Sequence, residues 1–531
     1  MLARALVLTA GIAGAAPGGD WQEWCGHPDR NSVSPERNLP DRLEEPRPAG
    51  APRPRTAAAP TVRDLLWSTP LGVATYGTPV VADGKVLIGG CESHPGDHAG
   101  KTVAALWCLR EADGAMLWRF RSPYIAKLYN RSFGITATPT VEGNRVYVVG
   151  HLGEVLCLDI NGLADGNDGP FMGEAALMAQ GREFRGLKLD SGGRVVRDIT
   201  PGRPGRIDPS DADIVWRFDM VKELNTKPYN SLTSAALVVG DYLFVGTGNT
   251  GTLSASRGGP KPTPIDPSPA LIVLDKRTGK LLAVDDAGIH RVIFHGAHAS
   301  PAYGVVNGRP LVFYGAAGRC YAFDARFQPR ADGQPAKLKP AWEFNCLASG
   351  SYADPKAPRP KRAEVVATPV FHKNRVYMAI GNDLIHSGAR AGPGRLVCID
   401  ATQQGDISAT GLIWSLDTIR SSSSTVAIKD GLVYAADASG MVYCLDADTG
   451  RVHWTHPTGP IWASPLIADG KVYLPTHDRG LLVLAEGRTK RIITDAQGTL
   501  VLDASAVAAN GVLYIASHKN LYALKAPGSG K

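Results

Sequence analysis

The sequence lacks the marks of a membrane-spanning or nucleic-acid-binding protein. Beyond the first fifteen residues, no run reaches the roughly 18 apolar residues that a transmembrane helix needs. The charges nearly balance, with 57 lysines and arginines against 50 aspartates and glutamates. Basic residues cluster only in the Pro-rich stretch from Arg47 to Arg63, which is typical of a linker. Aromatic and basic residues are not interleaved as single-strand binding requires, so we expect no nucleic-acid partner and no transmembrane segment.

The first fifteen residues predict export. Arg4 supplies a positive charge, Ala5 to Ile12 form a short apolar stretch, and Ala13-Gly14-Ala15 resembles a cleavage site, so residues 1–15 are interpreted as a signal peptide. No cysteine stands at the expected cut, which argues against a lipoprotein anchor. The predicted location is periplasmic or extracellular, with residues 16–63 as an N-terminal segment and linker.

Glycine and proline are abundant, at 60 and 39 of 531 residues. They follow no Gly-X-Y period, so a collagen-like structure is excluded. Many short apolar runs lie between them, which is typical of a chain built from strands and turns. Because length alone does not count domains in a repeat protein, we looked for a recurring unit.

One unit recurs eight times. Each begins with a Ser or Thr beside a proline or small residue, continues to a turn pair such as Asp83-Gly84 or Asn510-Gly511, and follows with an alternating β-branched and aromatic strand. A third strand ending in Leu-Asp or a similar pair follows, and then a fourth that often carries Trp. Eight four-stranded antiparallel units predict an all-β, eight-bladed β-propeller over residues 64–526. The unit starts are Thr78, Thr138, Ser234, Ser300, Thr368, Ser424, Ser464 and Ser505.

The ends of the repeat region predict how the ring closes. The last unit stops after its third strand, Leu521 to Leu524, whereas Asp64 to Leu71 contains Trp67 and has the pattern of a fourth strand without a unit. Pairing the two would remove both free edges. Residues 160–213 are an insertion in blade 2, expected to cover the channel or hold a partner, and residues 527–531 are a tail.

The turn Asp446-Ala447-Asp448-Thr449-Gly450, followed by Trp454, resembles the tryptophan-docking repeat of the pyrroloquinoline quinone (PQQ) propellers. The N-terminal Trp21-Gln22-Glu23-Trp24, with Arg30-Asn31 and Ser34-Pro35, is similar to exported PQQ-like propeller proteins of planctomycete type. The resemblance spans nearly all of the chain after the signal. It implies the propeller fold and one of two activities, because the superfamily contains PQQ- and Ca²⁺-dependent alcohol dehydrogenases as well as non-catalytic scaffolds.

Departures from the quinoprotein pattern bear on activity. The dehydrogenases carry a disulfide between adjacent cysteines under the cofactor, and no two cysteines are adjacent here. Ala283 and Arg491 stand where blades 3 and 7 would carry Trp, and no Glu, Asn and Asp calcium set aligns. These differences favour a non-catalytic binding or scaffold protein without a cofactor. The alternative is a PQQ- and Ca²⁺-dependent quinoprotein oxidoreductase.

The eight cysteines fall into two groups. Cys108, Cys157, Cys398 and Cys444 share one position of the third strand, where other blades carry Val or Ala, so we expect them to be small core residues. The other four have no assigned role, and one or two disulfides among them are left open. They are Cys25, Cys91, Cys320 and Cys346.

Loops that enter the first strand of each blade should crowd one mouth of the channel. They carry cations, carboxylates and aromatic rings, which suits a small polar ligand, a glycan or a protein partner. His295 and His298 have metal-like spacing, but without a third ligand we interpret them as a polar pair and predict neither a metal nor a catalytic residue. The predicted ligand-binding residues are Tyr76, Arg131, His295, His298, Glu364, Arg420, Trp462 and Asp503.

An acidic turn opens the blade 2 insertion. Asp165, Asn167 and Asp168 resemble the start of a calcium loop, but Ala176 stands at the closing position of the twelve-residue EF-hand pattern. An EF-hand is therefore excluded, and Ca²⁺ binding of another geometry stays open.

Overall fold

A computed structural model describes residues 19–43, 64–93, 102–125, 134–178, 183–200, 206–228, 232–249, 252–253, 263–264, 268–293, 298–347, 363–364, 367–382, 394–495 and 500–526. These residues form an all-β propeller of eight four-stranded antiparallel blades, as the repeat predicted. Among the described residues, no helix has the length and apolar character needed to cross a membrane. The predicted signal peptide and most of the linker lie outside the described residues.

Ring closure follows the prediction. Strand β1 (Leu65–Pro70) pairs antiparallel with β39 (Asn520–Leu524), the third strand of the last blade, and Trp67 lies opposite Ala523. The last blade therefore draws its outer strand from the start of the repeat region, so neither end of the ring leaves a free edge.

Blades 1 to 4 each place a short first strand at the channel, and their second and third strands are buried along most of their length. Blade 1 has β2 (Val80–Ala82), β3 (Lys85–Ser93), β4 (Thr102–Arg110) and β5 (Met116–Ile125). Blade 2 has β6 (Thr140–Glu142), β7 (Arg145–Gly150), β8 (Glu154–Asp159) and, after the insertion, β11 (Ile214–Asp219). The insertion contains a 3-10 turn (Gly162–Ala164), helix α1 (Glu174–Leu177), β9 (Glu183–Leu189) and β10 (Val195–Thr200), and helix α2 (Met220–Leu224) follows β11.

Blade 3 has β12 (Leu237–Val239), β13 (Tyr242–Gly246), β16 (Leu271–Asp275) and β17 (Leu281–Asp285), with a small hairpin of β14 (Thr252–Leu253) and β15 (Thr263–Pro264) and a 3-10 turn (Ile289–Arg291). Blade 4 has β18 (Ala302–Val306), β19 (Arg309–Ala316), β20 (Arg319–Asp324) and β22 (Pro340–Asn345), while β21 (Ala336–Leu338) joins the edge of blade 3.

Blades 5 to 8 repeat the arrangement. Blade 5 has β24 (Val370–His372), β25 (Arg375–Asn382), β26 (Gly394–Asp400) and β28 (Leu412–Leu416); β23 (Ala363–Glu364) also pairs with β25, and β27 (Gly405–Asp406) joins blade 4. Blade 6 has β29 (Ala427–Lys429), β30 (Leu432–Ala436), β31 (Met441–Asp446) and β32 (Val452–Pro457). Blade 7 has β33 (Leu466–Ala468), β34 (Lys471–Thr476), β35 (Gly480–Ala485) and β36 (Ile492–Asp495). Blade 8 has β37 (Val507–Ala509), β38 (Val512–Ala516), β39 and β1.

The described part of the blade 2 insertion does not cover the channel. Its hairpin, β9 and β10, continues the sheet of blade 1 outward, because β9 pairs in parallel with the outer strand β5. Arg197 on β10 ties the hairpin back to blade 2 through a bidentate ion pair with Asp219. The described hairpin therefore widens the rim of the ring and does not cover the mouth, and the alternative that the insertion holds a partner stays a prediction.

Tryptophans of the fourth strand join six of the eight blades to the blade that follows. The indole N–H of Trp454 donates to the Gly487 carbonyl at 3.0 Å, across the boundary between blades 6 and 7. The turn that receives such a ring needs glycine. A Cβ on Gly450 would lie 2.6 Å from the Trp414 ring, and its φ of +70° is itself unfavourable for other residues. The other docking bonds run from Trp67 to Glu111, Trp118 to Ile160, Trp216 to Lys276, Trp342 to Ala401 and Trp414 to Ala447.

Two blades lack this tryptophan, but one of the predicted positions was wrong. Ala283 does lie opposite Val273 at the tryptophan position of blade 3. In blade 7 the residue opposite Val483 is Thr494, not Arg491. A β-bulge between Val483 and Leu484 sets this register, and the same bulge occurs in the blades that keep tryptophan.

The serine or threonine that opens each unit has a structural role. Its hydroxyl accepts the backbone N–H of the corresponding residue in the preceding blade, as Ser505 does for Ser464 at 2.8 Å. The bonds show that the matching residue of blade 6 is Thr425 rather than Ser424, and that of blade 3 is Ala235. Among the described residues, these bonds run from backbone N–H to hydroxyl oxygen between neighbouring blades. They run from Ala235 to Ser300, Ser300 to Thr368, Thr368 to Thr425, Thr425 to Ser464, Ser464 to Ser505 and Ser505 to Thr78.

Candidate functional site

Residues 20–36, here called the N-terminal plug, occupy the channel. The first strand of a blade exposes its unpaired backbone groups toward the axis, and such an edge requires protection. The plug supplies partners to all eight blades at these strands or at the residue just before them. Its contacts reach Val81, Val141, Ala236, Tyr303, Phe371, Ile428, Ile467 and Ala508, in blades 1 to 8 respectively.

Arg30 is the most buried polar residue of the plug. Its side chain is completely enclosed and donates to the carbonyl oxygens of Pro301 and Ala236, at 2.9 and 3.1 Å. It also donates to the carbonyl of Trp24 at 3.0 Å and forms a 2.6 Å ion pair with Glu23. The guanidinium therefore joins two blades to the plug, and its donors match the oxygens around it.

The plug defines which end of the channel is open. It contacts the turns between first and second strands, where the Asp83 N–H donates to Asp20 and the Gly511 N–H donates to Glu36. The opposite end is formed by the loops that enter the first strands and by the turns between second and third strands. We refer to this open end as the mouth, and it is the end that the sequence analysis assigned to a ligand.

Five side chains meet at the mouth where blades 7, 8 and 1 adjoin, here called the mouth cluster. Asp503 accepts from His477 Nδ1 and His518 Nε2, each at 2.7 Å, one on each carboxylate oxygen. The Tyr76 ring lies 4.8 Å from the His518 ring, and the Trp462 ring lies 6.5 Å from that of His477 in an edge-on arrangement. Two aromatic rings thus flank a histidine–aspartate–histidine bridge.

The electrostatics of the bridge keep Asp503 ionised. Only 6% of its side chain is exposed, and burial by itself would raise the pKa of this carboxyl. The hydrogen bonds and positive charge of His477 and His518 outweigh burial and hold the pKa of Asp503 below its ordinary value. The histidines are more open, with 43% and 26% of their side chains exposed, so the mouth presents imidazoles above a buried anion.

Three of the eight predicted ligand-binding residues belong to this cluster: Tyr76, Trp462 and Asp503. His477 and His518 were not among the predicted ligand-binding residues, because that prediction drew only on the loops that enter first strands. Both follow the second strand at the same repeat position, directly after Thr476 and Ser517, and the turns there lie on the mouth face. That shared position was the signal that could have identified them.

Of the other predicted residues, His298 and Arg420 are described and lie outside this cluster. His298 is buried at 4% exposure, and its carbonyl accepts from the Thr233 hydroxyl. Arg420 is exposed, and its backbone N–H donates to Asp437 at 3.1 Å. Glu364 lies in β23, where only its backbone is described. Arg131 and His295 lie outside the described residues.

The cysteines bear on any redox role of the channel. Cys108, Cys157, Cys398 and Cys444 are buried inside blades, as predicted for core residues. All eight cysteines lie in described segments, and all are free and buried, so the pairs left open do not form. Burial raises the pKa of each thiol, for example to about 11 at Cys91 and about 12 at Cys444. Such thiols are poor nucleophiles and poor ligands.

Comparisons with known proteins find a family match over part of the chain and solved structures of similar fold. Residues 394–530 match a PQQ-repeat family model described as outer membrane protein assembly factor BamB. A europium-containing methanol dehydrogenase superposes with a TM-score of 0.55 at 11% identity, over 96% of this chain and 98% of that protein. BamB from Moraxella catarrhalis gives 0.47 at 15% identity, over 87% and 99%. A quinohemoprotein alcohol dehydrogenase from Comamonas testosteroni gives 0.43 at 15% identity, over 98% and 82%. Comparison with curated protein sequences finds no significant match.

Proposed function

We propose that this chain, an eight-bladed propeller of the PQQ-like superfamily, is an exported, non-catalytic binding protein whose ligand occupies the mouth cluster. The observation that carries the proposal is the bridge from His477 through Asp503 to His518, flanked by Tyr76 and Trp462 at the open end of a plugged channel. A few convergent polar groups beside aromatic rings are typical of a small-molecule site.

The chemistry of the cluster indicates the ligand class. His477 and His518 each donate a ring N–H to Asp503, and partly exposed imidazoles can bind the oxygens of a ligand. Tyr76 and Trp462 are half-buried and can stack against the flat or apolar face of a ligand. Donors combined with aromatic faces suit a small polar ligand with hydroxyl or carboxylate oxygens, such as a sugar or a hydroxy acid. A glycan chain or a protein loop would have to present the same groups.

The quinoprotein alternative fits these residues poorly. In quinoprotein dehydrogenases, which the sequence resembles, a disulfide of adjacent cysteines lies under the cofactor. Here no two cysteines are adjacent, and all eight are free and buried. The plug also fills part of the channel, with Trp24 Nε1 donating to the Thr368 hydroxyl at 3.3 Å. These residues do not fit PQQ held in that manner, and we derive no redox step.

A ligand panel tests the binding role. Purified protein is screened by thermal shift against neutral oligosaccharides of two to six sugars and against small hydroxy acids, with intrinsic tryptophan fluorescence as a second readout. We expect at least one of the two classes to raise Tm, and Trp462→Ala and Asp503→Asn to weaken binding at least tenfold. Arg330→Ala, at an exposed loop, is the control and should leave binding unchanged. Binding that survives both mouth substitutions, or no binding to either class, would contradict the proposed site.

Export is part of the same proposal. Cleavage after Ala15 would leave the whole plug in the mature protein, which the fold requires because residues 20–36 contact every blade. N-terminal sequencing of the protein recovered from an envelope fraction is the test. The expected first residue is Ala16, whereas an intact Met1 in a cytoplasmic fraction would contradict export.

A further inference from the structure

A second group of polar side chains lies away from the mouth, where the blade 2 insertion leaves and rejoins the blade. Asp159 ends β8, and Asp165 and Asp168 follow in the turn after it. Carboxylate oxygens of these three residues all lie within 4.8 Å of one another. Asp159 is fully buried, and the other two are exposed. Three carboxylates at this separation repel each other unless a cation lies between them.

Two further carboxylates, both buried, adjoin this turn. Asp213, just before β11, is 0% exposed, and one of its oxygens accepts the Asp168 backbone N–H at 2.9 Å. Its other oxygen, Oδ1, is buried without a hydrogen-bond partner. Glu174, on α1, is 1% exposed, and its Oε1 is also buried without a partner. An unpaired buried carboxylate oxygen is costly, so these two oxygens call for a ligand.

The cluster carries more negative charge than its neighbours balance. Arg145 pairs with Asp159 and is the one cationic partner described there. Five carboxylates and one arginine leave a negative charge that a divalent cation would neutralise.

We propose that Ca²⁺ binds between Asp159, Asp165 and Asp168, with the buried oxygens of Asp213 and Glu174 completing or backing the site. Calcium takes six to eight oxygen ligands in flexible geometry, and carboxylates are its usual protein ligands. The turn contains glycines at positions 162, 166 and 169, which let the backbone fold around an ion. The absence of cysteine and histidine from the group disfavours zinc.

The site would fasten the insertion to its blade. Asp159 lies at the start of the insertion and Asp213 at its end, and their backbones are already joined by the bond from Asp159 N–H to Asp213 carbonyl at 3.0 Å. Trp118 of blade 1 donates to the Ile160 carbonyl, one residue beyond Asp159. An ion here would therefore stiffen the base of the insertion and the junction of blades 1 and 2.

The test uses the full-length protein stripped with EDTA. Isothermal titration should give one Ca²⁺ per chain at this site, and Ca²⁺ at 100 times its dissociation constant should raise Tm by about 2 °C. Tb³⁺ should show luminescence sensitised by tryptophan, because Trp118 lies beside the turn, and Ca²⁺ should displace it. Mg²⁺ should bind more weakly, since it demands stricter octahedral geometry.

Substitutions separate a metal site from a merely structural turn. Asp168→Asn, at an exposed position, should weaken Ca²⁺ binding at least tenfold. Glu174→Gln should also weaken it, yet without metal its Tm should equal or exceed that of the parent, because one repelling charge is removed. Asp190→Asn, in a turn of the same insertion where the carboxylate accepts backbone N–H groups, is the control and should bind normally.

Two results would overturn the proposal. One is the absence of both a Tm shift and Tb³⁺ luminescence at millimolar metal. The other is an equal loss of binding in Asp168→Asn and Asp190→Asn. Failure of the mouth ligand panel would leave this site unaffected, because the two lie on opposite faces of the ring.

Discussion

The side-chain amide of Asn31 forms two hydrogen bonds with the backbone of Ile428. Its side-chain Nδ2 donates to the Ile428 carbonyl at 2.8 Å, and its Oδ1 accepts the Ile428 N–H at 2.7 Å. These are the two bonds that a paired residue of a neighbouring strand would form. A single amide of the N-terminal plug therefore protects the channel edge of blade 6.

Asn31→Leu should destabilise the protein by about 2 to 4 kcal/mol, because it leaves a buried N–H and a buried C=O without partners. Chemical denaturation measures the loss. Gln22→Ala is the matched control, since the Gln22 side chain is exposed and only its backbone carbonyl bonds a blade. Equal stability of the two variants would contradict the proposed role of the amide.

Arg30→Met should have a larger effect, about 3 to 5 kcal/mol. It deprives the carbonyls of Pro301 and Ala236 of their donor and leaves Glu23 without its cation. Arg37→Met, at an exposed position directly after the plug, should change the free energy of unfolding little. Thermal unfolding compares the two, and a change in Tm for Arg30→Met no larger than for the control would contradict the account.

Two glycines separate tryptophan docking from backbone strain. Gly450 and Gly470 have nearly the same φ, +70° and +67°, but only Gly450 meets a tryptophan ring, and nothing lies within 4 Å of a Cβ at Gly470. Gly470→Ala should cost about 1 kcal/mol, the ordinary cost of a left-handed conformation. Gly450→Ala should cost a further 1 to 3 kcal/mol through overlap with Trp414. Equal losses would show that docking contributes nothing.

The lowered pKa of Asp503 predicts a pH dependence with a definite sign. A carboxyl whose pKa is lower in the folded state contributes stability above its unfolded pKa of about 3.9, and this contribution disappears as pH falls through the folded value. The free-energy difference between the parent and Asp503→Asn should therefore shrink as pH falls below about 4. Denaturation curves below about pH 5 measure it. A difference that grows over that range would contradict the assignment.

The sequence predicted the ring well because its signals are local. Turn pairs and alternating strands repeat eight times, and Trp67 identified a fourth strand separated from its blade, so blade count and closure followed. Thr494 was missed because the turn before it is one residue longer than in blade 6. The Asp446 N–H donates to the carbonyl of Arg451, five residues on, whereas the N–H of its counterpart Ala485 donates to that of Arg491, six residues on.

The plug and the full mouth cluster could not be predicted from the repeat pattern. Residues 20–36 have no periodicity, and their partners lie far away in the chain, as Asn31 and Ile428 do. A segment without a repeat carries no sign of the blades it contacts. His477 and His518 carried a weak sign, their common repeat position, but only the ring geometry joins them to Asp503.

The role of the propeller as a binding protein without quinone chemistry is tested most directly by adding PQQ. The purified protein is mixed with PQQ and Ca²⁺, desalted, and examined for quinone absorbance and for alcohol-dependent dye reduction. We predict that no quinone absorbance is retained and that no dye is reduced. Retention of one PQQ per chain, with alcohol-dependent turnover, would contradict the account.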